Sequence, residues 1–85
     1  MKPGVYVAGR GTNIIMSRRK DDSGWTIDGT LKEGDVVFVT GAVRVRHIPS
    51  ERENRKGHTL TYVEIVVPNV GFRWILADHI CPIQA

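Results

Sequence analysis

The sequence has few of the features by which membrane proteins and secreted proteins are recognised. It contains one cysteine, Cys81, which rules out an internal disulfide and favours a reducing compartment, so we expect a cytoplasmic protein. Apolar runs long enough to span a membrane are missing. The broken apolar stretch that follows Met1 does not predict a signal peptide. We therefore expect a soluble protein that does not associate with membranes.

Motifs for catalysis and metal binding are missing as well. The chain has neither a G-x-S-x-G elbow nor a phosphate-binding loop with its lysine. His47, His58 and His79 stand without a second cysteine or H-x-x-x-H spacing, and zinc sites normally use three or four protein ligands. The sequence therefore predicts no enzyme, no catalytic residue, no metal site and no cofactor.

Short β-type segments follow one another along the chain, while apolar residues at helical spacing do not recur. In residues 59–67 the odd-numbered positions from 61 form one face and the even-numbered positions form the other. Residues 42–48 place Val43 and Val45 on one face, and Arg44 and Arg46 on the other. This pattern predicts an all-β protein, and the short length favours a small barrel of about five to six antiparallel strands.

The 85 residues are enough for one domain, which we place at 1–85. Gly41 stands between two strand-like segments and predicts a bend or bulge. The strand-like segment that follows Gly41 is expected to pair with residues 59–63 as a hairpin. A long, basic loop over residues 47–58 joins the two strands. Such a loop is longer than most hairpin connections and is a candidate binding element.

Four motifs resemble, in their order, the bacterial SH3-like (SH3b) family of small β-barrel domains. They are "GVYVA" at 4–8, "NIIMSRR" at 13–19, "GTLKEGDVVFV" at 29–39 and "YVEIVVPNVGFRWILADHI" at 62–80. The resemblance is in fold and covers most of the chain. It implies an SH3-like barrel that acts as a binding module.

Positive charge is concentrated in residues 43–58, which contain five basic and two acidic residues, while the rest of the chain has no net charge. The basic residues are Arg44, Arg46, Arg52, Arg55 and Lys56. Tyr62 is expected to lie exposed beside these arginines, and arginines next to an aromatic ring are typical of proteins that bind single-stranded nucleic acid. Alternatively, the charges form a solvated, salt-bridged loop.

Aromatic side chains provide a second candidate site. Tyr6, Trp25, Tyr62 and Trp74 could line a shallow groove for a protein or peptide, since tryptophan and tyrosine are frequent interface residues. Alternatively, Trp74, Phe38 and Phe72 fill the barrel core. Trp25 lies between turn signals, outside any apolar run, which favours a surface role.

The sequence therefore predicts a non-enzymatic binding module, in the first place a small protein-interaction or regulatory domain. Its expected partner is a protein or peptide, and self-association belongs to the same hypothesis. The alternative is a nucleic-acid-binding protein that uses the basic hairpin at 44–58.

Overall fold

A computed structural model describes residues 1–11, 13–18, 24–48 and 57–83. These residues form seven β-strands and one short 3-10 helix, Ala77–His79, and contain no α-helix. The all-β prediction is confirmed, with more strands than the expected five to six. The strands are β1 Gly4–Ala8, β2 Asn13–Arg18, β3 Trp25–Leu31, β4 Val36–Ile48, β5 His58–Val67, β6 Gly71–Leu76 and β7 Ile80–Pro82.

All seven strands belong to one antiparallel sheet in the order β3-β2-β6-β5-β4-β1-β7. The sheet curls into a half-barrel whose edge strands, β3 and β7, do not pair with each other in the described part of the chain. Its longest hairpin is the predicted one, in which β4 and β5 pair as far as Ile48 and His58. The middle of the loop, residues 49–56, lies outside the described residues.

One face of the sheet carries the hydrophobic core. The alternation predicted for β5 is confirmed from Val63 onward, since Val63, Ile65 and Val67 are all at most 9% exposed, whereas Thr61 on the same face is exposed. Removing such side chains from water is the main favourable term in folding. The core comprises Tyr6, Ala8, Ile15, Leu31, Val37, Val39, Val63, Ile65, Val67, Ile75 and Ile80.

The opposite face, which we call the open face, also carries large apolar side chains. Phe38 and Phe72 lie there, 47% and 63% exposed. The interpretation that these two phenylalanines fill the core is therefore wrong. Both follow the strict alternation of their strands, so the neighbouring residues Val37, Val39 and Arg73 point the other way.

Strand β4 changes direction at a bulge around Gly41, as the sequence predicts. Val39 pairs with Ile65 and Val43 with Val63, so four steps along β4 match two steps along β5. Gly41 has a φ of +101°, a conformation that glycine adopts without strain. Next to it, the Thr40 hydroxyl donates a hydrogen bond to Glu64 Oε1 at 2.9 Å, which ties the bulge to β5.

The segment between β1 and β2 is held by a buried asparagine. Asn13 is 1% exposed, and its Nδ2 donates hydrogen bonds to the carbonyl oxygens of Gly9 at 2.8 Å and Gly11 at 3.3 Å. Its Nδ2 is thereby paired, as buried polar groups usually are, whereas its Oδ1 is buried with no hydrogen-bond partner among the described residues. Asn13 therefore fixes the path of the chain into β2.

Both edges of the sheet are irregular or short. In β3, Asp28 and Gly29 together stand opposite the single residue Ile15, because Ile14 pairs with Thr30 and Met16 with Ile27. At the other edge, β7 has three residues and ends at Pro82, which has no amide donor. Bulges, short strands and prolines are devices that limit pairing at sheet edges.

Candidate ligand-binding cleft

Three aromatic side chains form a cluster on the open face. Trp25 is its centre: its ring centroid lies 4.7 Å from that of Tyr62, edge to face, and 5.3 Å from that of Trp74, tilted by 33°. Aromatic pairs at these separations stabilise each other by about 0.5–1.5 kcal/mol beyond the area they bury. We call Trp25, Tyr62 and Trp74 the aromatic cluster.

Strand pairing explains two of the three positions. Glu64 pairs with Trp74, and Met16 pairs with Trp74 from the other side, so the indole lies in a row across β5, β6 and β2. Tyr62 is two residues from Glu64 on β5 and shares its face. Trp25 comes from the edge strand β3, and its contact with Tyr62 spans the two intervening strands.

Tyr62 lies on the predicted face but is not exposed there. Its side chain is 7% exposed, because the ring of Trp25 packs against it. The expectation of a freely accessible tyrosine ring beside the arginines is therefore wrong. Trp25 and Trp74 are each partly exposed, so these two indoles present the accessible aromatic surface of the cluster.

A cleft of about 500 Å³ opens beside the cluster. A second depression of about 620 Å³ adjoins it, and Arg44 lines both. Small-ligand sites commonly have volumes of about 300–1,000 Å³. The first cleft is lined by Met16, Gly24, Trp25, Arg44, Val45, Arg46 and Tyr62.

The two arginines of the cleft stand on strand β4. Arg44 pairs with Tyr62 and Arg46 with Leu60, which places both guanidinium groups on the open face, as the alternation predicts. Glu64, an acidic residue on the same face of the neighbouring strand β5, accepts the hydrogen bond from Thr40. Among the described residues, neither arginine has an ion-pair or hydrogen-bond partner. Within the described parts of the chain, the first cleft is therefore lined by two arginines and by no acidic side chain.

The predicted groove residues separate into two groups. Trp25, Tyr62 and Trp74 come together, whereas Tyr6 lies in the core at 8% exposure, with its hydroxyl donating to the carbonyl of Lys2 at 2.8 Å. Tyr6 is buried because β1 turns this side chain towards Val37, its partner on β4. It does not contribute to the cleft.

The predicted basic residues of the hairpin also separate. Arg44 and Arg46 line the cleft, whereas Arg52, Arg55 and Lys56 lie outside the described residues. Met16 is a lining residue that sequence reasoning missed. Alternation within "NIIMSR" places Met16 on the other face of the sheet from its neighbour Ile15, a core residue. Only the pairing of β2 with β6 brings Met16 beside Trp74.

Groups that could hold a metal ion, with three or more histidine, cysteine or acidic residues, do not occur within the described parts of the chain. At the hairpin end, His47 pairs with Thr59 and His58 with Ile48. The two histidines are therefore one position out of register and point to opposite faces. Across the described ranges, no helix is long and apolar enough to cross a membrane.

Comparison with known proteins finds no family model, no curated protein and no solved structure that matches this chain. The chemistry of the cleft is therefore the basis for a proposal about its ligand. That chemistry consists of aromatic surface for apolar or planar groups, with two guanidinium groups for anions.

Proposed function

We propose that the protein is a non-enzymatic binding module that accepts an acidic peptide segment in the cleft beside the aromatic cluster. The observation that carries this proposal is the position of Arg44 and Arg46, without partners among the described residues, next to Trp25 and Tyr62. Tryptophan, tyrosine and arginine are the residues that contribute most to protein interfaces. Carboxylates are natural partners for guanidinium groups, which bind them with two parallel hydrogen bonds.

The positive charge of the two arginines limits the chemical classes of ligand that the cleft can bind. Aromatic clusters can also bind quaternary ammonium groups, by presenting ring faces to a cation. Here the adjoining rim is positive, because Arg44 and Arg46 line the same cleft as Trp25. A cation would be repelled by Arg44 and Arg46, so the cleft favours an anionic ligand with apolar groups.

We also propose, from the order of motifs, that the chain is an SH3-like domain related to the bacterial SH3b family. The curled, antiparallel, all-β sheet supports this assignment at the level of fold class. The free thiol of Cys81 supports a cytoplasmic location, because thiols stay reduced there. A regulatory role through a bound protein is consistent with these features.

Intrinsic fluorescence provides a direct test of the peptide proposal. Both tryptophans of the chain belong to the aromatic cluster, so the emission reports on this site and nowhere else. Peptides that alternate aspartate with proline or tyrosine should shift the emission on titration. Matched peptides with lysine in place of aspartate should not. Equal responses to the two series would overturn the proposal.

A pair of variants distinguishes a direct contact between arginine and peptide from general electrostatic attraction by the positive charge of the protein. Arg44→Ala should weaken binding of the acidic peptide by about tenfold or more, which corresponds to ~1.4 kcal/mol. Arg10→Ala removes the same charge at a side chain that is 94% exposed and outside the cleft, and should leave the affinity nearly unchanged. Equal losses in the two variants would show long-range attraction without a specific site.

Single-stranded nucleic acid is the second candidate ligand. The observation that favours it is the same row of arginines beside partly exposed indoles, which suits phosphate contacts together with base stacking. The hypothesis also includes Arg52, Arg55 and Lys56. A nucleic-acid complex should weaken steeply with salt, with a slope of about −0.7 per phosphate contacted. Anisotropy of labelled DNA and RNA at two salt concentrations measures this slope, and a salt-insensitive signal would exclude it.

A further inference from the structure

A second apolar feature crosses the open face beside the aromatic cluster, and its residue Phe72 lines the second depression together with Trp74. Val5 pairs with Phe38, Phe38 with Val66, and Val66 with Phe72. Direct cross-strand partners share one face of a sheet. These four residues on β1, β4, β5 and β6 therefore form one continuous line, which we call the apolar row.

The apolar row is accessible to solvent. Val5 and Phe38 are each 47% exposed and Phe72 is 63% exposed, while Val66 is partly buried between them. Val36, two residues from Phe38 on the same face, is 49% exposed. Together these side chains leave an apolar patch on the order of 400 Å², comparable to the largest apolar patch on a typical monomer, which is often a functional surface.

We propose that the apolar row is the interface of a homodimer, in which a second copy of this chain packs its own row face to face. Sheets pack in this way about 10 Å apart. The row carries no charged residue, and its order, valine, phenylalanine, valine, phenylalanine, makes it complementary to itself.

The complementarity follows from symmetry. In a two-fold dimer, if residue i contacts residue j of the other copy, then j contacts i. A two-fold axis between the sheets, parallel to the strands and through the centre of the row, sets Val5 opposite Phe72 of the second copy. The same axis sets Phe38 opposite Val66. Each large ring then meets a small branched side chain, which lets the two faces interdigitate.

The size of the patch sets the expected strength. Stable specific interfaces bury about 1,200–2,000 Å² in total, or about 600–1,000 Å² from each copy. The apolar row with Val36 supplies the central part of this area, and polar neighbours must supply the rest. The dimer should therefore be weak and reversible, with a dissociation constant in the range of roughly 1 µM to 1 mM.

Sedimentation equilibrium at increasing protein concentration tests the proposal, with a reducing agent present because Cys81 is exposed. The wild-type protein should change from monomer to dimer. Phe72→Glu, which places a charge in the row, should raise the dissociation constant by about tenfold or more. Ile27→Glu is the matched control, since Ile27 is 67% exposed on the same face but outside the row, and it should dimerise like the wild type.

The symmetry makes a sharper prediction for a mixture of two variants. Val5→Lys alone should also raise the dissociation constant by about tenfold or more, as expected for Phe72→Glu, and circular dichroism should show that both variants are folded. Mixed together, the two variants should form a heterodimer, because the added positive charge of one copy would then face the added negative charge of the other. A wild-type protein that is monomeric at about 1 mM, or a dimer that Phe72→Glu leaves unchanged, would overturn the proposal. A mixture that stays monomeric would overturn the assigned pairing.

Discussion

Replacing Gly41 by alanine should destabilise the protein more than replacing Gly34 by alanine. Both glycines have positive φ, +101° and +88°, so an alanine at either position is strained. Such strain costs about 1–3 kcal/mol. The two sites differ in their surroundings: an added Cβ at Gly41 would lie 3.0 Å from Pro3 Cγ, whereas one at Gly34 would have no heavy atom within 4 Å.

The contact with Pro3 sets the size of the difference. Overpacking of this kind costs typically about 1–3 kcal/mol, and the smaller value applies here because Pro3 lies on the exposed N-terminal segment and can move. Gly41→Ala should therefore lose about 2–4 kcal/mol and Gly34→Ala about 1–3 kcal/mol. For a domain of this size, each kcal/mol lowers the melting temperature by about 4–8 °C.

Urea unfolding, monitored by the emission of Trp25 and Trp74, measures both losses. A double-mutant cycle with Pro3→Ala isolates the steric part: in that background, Gly41→Ala and Gly34→Ala should destabilise the protein equally. Equal losses in the wild-type background, or no relief from Pro3→Ala, would refute the reasoning. The bulge also determines where Arg44 lies along β5, so Gly41→Ala should weaken ligand binding as well.

Three other substitutions address the core and two polar contacts. Ile65→Ala removes a side chain that is 0% exposed and should cost about 2–5 kcal/mol in urea unfolding; a loss below ~1 kcal/mol would place Ile65 outside the cooperative core. Asn13→Ala leaves the carbonyls of Gly9, Gly11 and Leu31 without this donor and should cost about 1–3 kcal/mol by thermal melting, while a neutral result would mean that water replaces the amide. Thr40→Val keeps the shape of the side chain but removes the hydrogen bond to Glu64, and should cost about 1 kcal/mol of stability. In a protein that already carries Glu64→Gln, the loss caused by Thr40→Val should be smaller.

Local patterns were enough to predict the strands and their faces. Alternation along β5 identified Val63 and Ile65 as core residues, and the pairing of Arg44 with Tyr62 follows from the predicted hairpin. Gly41 also predicted the bulge correctly, because a glycine between two strand-like segments often marks a position where the backbone bulges or bends. These features depend on residues close together in the chain or joined by one hairpin.

The cleft depends on contacts that local patterns do not contain. Trp25 and Tyr62 are far apart in sequence, and their contact follows from the place of β6 between β2 and β5. Register between strands also places Tyr6 and Phe72, similar aromatic residues, on opposite faces, since Tyr6 pairs with the core residue Val37 and Phe72 with Val66. Apolar character alone does not determine which side of a sheet is covered, because an apolar residue can lie on either face.

The irregular edges of the sheet disfavour assemblies in which copies of this protein join strand to strand. Strand-to-strand association at an edge leaves a new free edge after every addition, and so leads towards fibres. The Asp28–Gly29 bulge and the short strand ending at Pro82 oppose that growth. Contact between two open faces, in contrast, covers both surfaces at once and stops at two copies. An open sheet with apolar residues on both faces can thereby associate without polymerising.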